Sequence, residues 1–146
     1  MQGILLISHG PLAQAMLKTA EIFFGTDQPQ LQALSLSSQE TAEDYRRRLQ
    51  EAVSQLDRGQ GVVILADLMG GTPCTQTAFL DQDRITVITG MNLGMVMECL
   101  ALRQGATIDP QALQDSACQG IVNYTQQLRQ RREGAVQRKR RRHEPF

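Results

Sequence analysis

Val62-Val63-Ile64-Leu65-Ala66 is an unbroken run of five apolar residues. A strand with one wet face alternates apolar and polar side chains. A run without alternation reads as a strand covered on both faces, the condition inside a parallel sheet flanked by helices. Gly3-Ile4-Leu5-Leu6-Ile7 repeats the pattern near the start of the chain. Parallel strands cannot be joined by a tight turn and need a crossover, usually a helix. Two such runs therefore restrict the chain to folds in which strands and helices alternate.

The rest of the sequence supplies that alternation. After the first run, Gly10 and Pro11 offer an N-cap and an N1 proline. Leu12, Met16, Thr19 or Ala20, and Phe23 then recur at helical spacing up to Gly25. Leu31 to Leu36 is a second strand. Ser37 and Glu40 have capping-box spacing ahead of a helix whose stripe is Ala42, Tyr45, Leu49, Ala52, Val53 and Leu56. Arg46, Arg47 and Arg48 beside it form a solvated face. The third strand ends at Asp67. Thr72 can cap and Pro73 can open a third helix to about Leu80. Ile85 to Thr89 is a fourth strand, and Gly90 turns the chain. Asn92 caps a helix with Leu93, Val96, Met97 and Leu100 inward. Asp109-Pro110 begins a last helix carrying Leu113, Ala117, Ile121, Tyr124 and Leu128. The expected fold is α/β: a doubly wound, mainly parallel sheet with helices on both faces and an extra C-terminal helix.

The 146 residues suit one domain with its own core. No apolar run approaches the ~20 residues that span a bilayer, and no signal-peptide pattern opens the chain. Cys74, Cys99 and Cys118 match neither zinc nor CxxC spacing and read as packing thiols of a reducing compartment. No metal and no cofactor is expected. Zero net charge hides an asymmetry. Residues 1–128 carry seven Lys+Arg against thirteen Asp+Glu, a balance of −6; residues 129–146 carry eight against two, a balance of +6. The expected division is a domain over 1–130 and a basic tail over 131–146, either a frayed helix end or disordered. For the tail a solubilising role is preferred over polyanion binding, because no aromatic residues interleave with the cations and no DNA-reading motif is visible. Nucleic-acid binding is not expected.

His9 and Asp67 both fall at carboxyl ends of strands, where ligands collect in open α/β sheets. The only other histidine is His143, in the tail. If the two strands are neighbours, a carboxylate on one ring nitrogen fixes the tautomer, stabilises the imidazolium and leaves the other nitrogen free to attack. Gly70-Gly71-Thr72 at a helix start offers backbone N–H groups and a hydroxyl for a phosphoryl group. The bland readings are a turn histidine with local hydrogen bonds, an aspartate that caps its turn, and a Gly-Gly that only makes a tight connection. Cys74 could imitate a nucleophile, but no second histidine is at hand to activate it, so inert packing is favoured.

The segments GILLISHGPLAQAMLKTAEIFFG, GVVILADLMGGTP and ITVITGMNLGMVMECL resemble the enzyme IIA domain of the mannose family of the bacterial sugar phosphotransferase system, in the same order over about residues 2–128. The resemblance implies strand order 2-1-3-4 and a homodimer. It implies that His9 is the catalytic residue and receives a phosphoryl group from the histidine phosphocarrier protein. His9 then passes the group to a IIB component during sugar uptake. Asp67 is implied as the partner of that histidine and Thr72 as a phosphoryl contact. Relatives often have an aromatic residue and then asparagine after the GG[ST]P motif, where this chain has Cys74-Thr75. No IIB domain follows, so the expected partners are a separate IIB chain and, indirectly, the membrane components IIC and IID. The expectation is a cytoplasmic phosphotransferase; the alternative is a regulatory module that senses phosphorylation without feeding a transporter. Which sugar is involved is not written in these residues.

Overall fold

The computed structural model describes residues 1–142; positions 143–146, with His143 and the end of the basic tail, lie outside the described residues. The elements are β1 (Gly3–His9), α1 (Leu12–Phe24), β2 (Leu31–Leu36), α2 (Ala42–Leu56), β3 (Val62–Ala66), α3 (Thr72–Thr75), β4 (Ile85–Thr89), α4 (Leu93–Leu102), α5 (Pro110–Gln119) and α6 (Tyr124–Arg142). A 3₁₀ turn, Gln76–Phe79, continues α3. The four strands are all parallel, in the order β2-β1-β3-β4. Fold class and strand order are as expected.

Two cores explain why β1 and β3 do not alternate. Ile4, Leu6, Val63 and Leu65 point to one face, against Ala13 and Ala20 of α1, Val96 and Leu100 of α4 and Leu113 of α5. Leu5, Ile7, Val62 and Ile64 point to the other, against Tyr45, Leu49 and Leu56 of α2. Every residue of these runs removes apolar surface from water, at roughly 25 cal/mol per Å².

Local chemistry sets the helix ends, and several differ from the sequence reading. Pro11 is the N-cap of α1 and not its N1 residue. Thr41, not Ser37, caps α2: its hydroxyl accepts from the Asp44 amide at 3.1 Å, while Ser37 and Glu40 form a turn ahead of it. Gly71 is the N-cap of α3, which places Thr72 and Pro73 inside the first turn. The buried face of α4 is Met95, Val96, Cys99 and Leu100; Leu93 and Met97 are only half-buried. The last expected helix is two. α5 ends at Gln119, the chain breaks at Gly120–Asn123, and Ile121 and Tyr124 are exposed instead of continuing the stripe. α6 runs to Arg142, beyond the point where apolar spacing ends.

At the amino edge of the sheet, Asp57 ties three segments together. It accepts from Arg84 Nε at 2.9 Å and Nη2 at 2.8 Å, and from the Gly59 and Gly61 amides, both at 2.9 Å. The Arg84 hydrogen bonds first, then the two amides, hold its carboxyl below the ordinary value of 3.8. A lowered folded-state pKa stabilises the fold above the ordinary value, and that stability is lost as pH falls through the folded-state value. Asp57→Asn should therefore cost about 1 kcal/mol near neutral pH, a figure discounted for the exposure of Arg84. The difference from wild type should vanish below the ordinary carboxylate range. Urea titrations at a series of pH values measure it, and a penalty independent of pH would show that charge plays no part.

Candidate functional site

The parallel pairing of β1 with β3 sets Ile7 opposite Ala66, so the next residues of both strands emerge side by side at the carboxyl edge. The Asp67 amide donates to the Ile7 carbonyl at 3.1 Å, extending the ladder by one bond. His9 and Asp67 therefore meet although 58 residues separate them.

Asp67 Oδ2 accepts from the His9 amide at 2.9 Å and lies 2.8 Å from His9 Nδ1. Its Oδ1 accepts from the Leu68 amide at 2.9 Å. The Asp67 side chain is 8% exposed and that of His9 44%. Burial raises the Asp67 carboxyl, but the His9 amide, the His9 ring and the Leu68 amide together pull it below its ordinary value. The carboxylate is thus ionised and can only accept, so Nδ1 must carry the proton. In the neutral ring Nε2 then holds a lone pair, on the more exposed side of the pair.

The turn that presents the ring is built from Ser8 and Gly10. Ser8 is fully buried, and its hydroxyl accepts from the Ala13 amide at 2.7 Å, supplying α1 with the side-chain cap that Pro11 lacks. Gly10 takes a φ of +54°, while its amide donates to the Leu36 carbonyl at 2.9 Å. Ser8 was absent from the sequence-derived site. Its signal was a hydroxyl at a strand end before a helix with a proline at its cap, outside the usual capping spacing.

Gly71 packs directly on the imidazole. A Cβ there would lie 2.8 Å from His9 Nε2 and nearer still to Cε1. Its φ is ordinary, at −75°, so the glycine is needed for space and not for backbone freedom. Gly70 is the reverse case: its φ is +86° and the space about it is open. The first α-helical bond runs from the Thr75 amide to the Gly71 carbonyl, so the Thr72 and Cys74 amides precede the ladder. Cys74 is half-buried against the α2-side core, as a packing thiol would be.

Arg46 departs from the solvated face expected of it. Its Nε donates to Gln76 Oε1 at 2.8 Å and its guanidinium lies 3.5 Å from the centroid of the Phe79 ring. It thereby fastens α2 to the turn that continues α3. A groove of 480 Å³, lined by residues such as Val87, Met95, Ala117 and Ile121, shares Met69 with the loop after Asp67, but His9 is not in its wall. The His9 side chain is 44% exposed, and Leu12, Leu68 and Met69, within three residues of His9 or Asp67 in the chain, also have exposed side chains. Among the described residues no cluster of His, Cys, Asp and Glu could hold a metal ion.

Fold and site together define a small parallel α/β domain that offers a carboxylate-held histidine at an open edge. A family model described as the PTS system fructose IIA component matches residues 3–114. The chain belongs to that family. It is 31% identical over 103 residues to the PTS system mannose-specific EIIAB component of Escherichia coli (strain K12), a match covering 69% of this chain and 32% of that protein. The chain thus spans about a third of the length of this relative. It is 26% identical over 106 residues to the PTS system fructose-specific EIIA component of Bacillus subtilis (strain 168), covering 71% and 72% of the two chains. The crystal structure of a PTS IIA protein associated with the fucose utilization operon of Streptococcus pneumoniae superposes with a TM-score of 0.79 at 31% identity, covering 87% of this chain and 96% of that one.

Gly71→Ala tests the packing on the ring. The added methyl group must displace the imidazole or the loop, so the ¹⁵N imidazole resonances of His9 should shift while the melting temperature moves only slightly. Gly70→Ala should do the opposite, straining a left-handed residue at a cost of about 1 kcal/mol and leaving the ring signals nearly in place. Equal ring shifts in both variants would mean that contact with Gly71 does not set the imidazole.

Proposed function

We propose that the chain is a phosphocarrier of the sugar phosphotransferase system, a cytoplasmic protein that takes a phosphoryl group on His9 Nε2. The observation that carries this reading is the single carboxylate oxygen of Asp67 that accepts from both the backbone and the ring of His9. It fixes the ring's direction and its tautomer at once. The donor is the histidine phosphocarrier protein, itself phosphorylated on an imidazole. The lone pair of Nε2 attacks phosphorus in line, the N–P bond to the donor breaks, and the departing imidazole keeps that electron pair. The His9 ring becomes a phospho-imidazolium, whose charge the ionised Asp67 offsets through the proton retained on Nδ1. The reverse sequence hands the group to a IIB component.

The negative field of Asp67 also opposes an incoming phosphoryl group. The Gly71–Thr72 backbone, its amides ahead of the α3 ladder and free of any Cβ next to the ring, is where this repulsion is offset. Positioning and electrostatics supply most of what phosphoryl transfer needs, and no cofactor is called for. An open edge with exposed Leu12, Leu68 and Met69 suits a protein donor and acceptor. As in the resembling family, a homodimer and indirect association with IIC and IID components complete the reading.

His9→Gln should fold normally and take up no phosphoryl group from phosphoenolpyruvate, enzyme I and the phosphocarrier protein. Intact mass measured under alkaline conditions, which preserve phosphohistidine, gives the answer. Full labelling of this variant would sink the assignment. Asp67→Asn should slow transfer tenfold or more, since groups that orient a reacting ligand matter at about one to several kcal/mol. Thr72→Ala should slow it less, because the backbone amides remain. Rapid-quench kinetics on the two variants separate the contributions, and an unimpaired Asp67→Asn would show that the hydrogen-bonded pair is only structural.

A further inference from the structure

Three consecutive arginines of α2 meet different fates. Arg47 pairs with Asp44 and Arg48 with Glu40. Arg46, half-buried where those two are exposed, holds two uncharged groups of the segment that follows Gly71. That segment cannot hold itself. α3 is a single turn of four residues, and the 3₁₀ turn behind it adds four more. A helix so short has no cooperative ladder of its own, so its place is set by what it packs on. In a 3₁₀ turn residues i and i+3 eclipse one another. Gln76 and Phe79 therefore face the same way, and one guanidinium takes both. Arg46 Nε donates to Gln76 Oε1 at 2.8 Å, and its Cζ lies 3.5 Å from the Phe79 ring centroid. Gln76 is buried, so its oxygen needs a donor; Phe79 is 55% exposed, so burial alone does not fix it.

The other end of the same segment touches the imidazole. Gly71 is the N-cap of α3, and a Cβ on it would lie 2.8 Å from His9 Nε2. Backbone bonds tie the two ends together. The Thr75 amide donates to the Gly71 carbonyl at 2.9 Å, and the Gln76 amide donates to the Thr72 carbonyl. A displacement at Gln76 is thus carried back to Gly71 and Thr72, where the fit against the ring leaves no slack. Given the phosphocarrier reading of His9, on which this rests, we infer that Arg46 is a positioning residue for phosphoryl transfer. Through Gln76 and Phe79 it seats α3, and with α3 the contact of Gly71 on the ring and the Thr72 and Cys74 amides ahead of the ladder. It acts through this segment and not on the phosphoryl group itself.

The test compares Arg46→Met, Gln76→Met and Phe79→Leu with wild type in the full chain. The last two keep the Arg46 charge and lose one grip each. Arg46→Met should slow transfer from saturating phosphorylated phosphocarrier protein about tenfold, with KM within about twofold of wild type, because displacement by an ångström or less costs this much at a reacting centre. Gln76→Met should do the same and Phe79→Leu less. The ¹⁵N imidazole resonances of His9 should shift in Arg46→Met and in Gln76→Met. Combining these two substitutions should cost no more than either alone, as for residues that act as one unit. Arg46→Lys should restore little, since an ammonium cannot bond the amide and cover the ring at once. Arg47→Met removes a neighbouring charge and should leave rate and resonances unchanged. Additive losses, ring resonances of Arg46→Met that coincide with wild type, or an equal loss in Arg47→Met overturns the inference. So does a loss confined to KM and abolished by salt, which would make Arg46 a steering charge. The resonances are read without any phosphoryl group, so this inference and the phosphocarrier reading fail separately.

Discussion

The whole molecule hangs on β1 lying between β2 and β3 with both of its faces covered. A parallel strand in that place must bury every side chain, and Ile4, Leu5, Leu6 and Ile7 are fully buried. Helices are then required on both sides to cover the sheet, and crossovers are required to make the strands parallel. The carboxyl ends of β1 and β3 arrive together as a by-product. The His9–Asp67 pair is thus positioned by the same packing that stabilises the fold, and a rigid strand end holds it better than a free loop could.

That origin explains the economy of the site. One register, Ile7 opposite Ala66, brings His9 to Asp67, and a single carboxylate oxygen then binds the backbone and the ring of the same residue. Rotation of the imidazole away from Asp67 gives up a charge-assisted hydrogen bond, while the amide bond persists as a hinge. Gly71 closes the other side of the ring, and Arg46 braces the turn behind it through Gln76 and Phe79. The ring is held on two sides, and the His9 side chain is still 44% exposed.

Charge is distributed with the same division of labour. Most of the acidic residues belong to the body, where Asp57 and Asp67 serve as hydrogen-bond acceptors that join segments. The arginines of α2 are consumed locally, Arg47 by Asp44 and Arg48 by Glu40. Arg103 is buried at the end of α4, where desolvation lowers its pKa, and it gives one hydrogen bond to the Gln30 carbonyl. α6 concentrates eight Lys+Arg on an element none of whose residues is buried.

The sequence by itself determined the class of fold and the identity of the paired residues. Five-residue apolar runs rich in β-branched residues and bounded by glycine read as two-sided strands, and glycine, proline and small polar residues punctuate helices where backbone groups need partners, as at Asn92 and Asp109. What only the tertiary structure decided is anything that depends on a neighbour distant in the chain. Ser8 became a cap because its strand end lies beside the first turn of α1, and Gly71 has no room for a Cβ because a ring from another strand occupies that space. Arg46 left the solvated face because Phe79 and Gln76 came within reach of it. The helix after Asp109 broke at Gly120 because the core had no more surface to cover beyond Ala117, so Ile121 and Tyr124 kept the spacing of a stripe without anything to bury it. Periodicity records which side chains share a face. Whether that face meets a partner is settled by the volume the rest of the chain has left to fill.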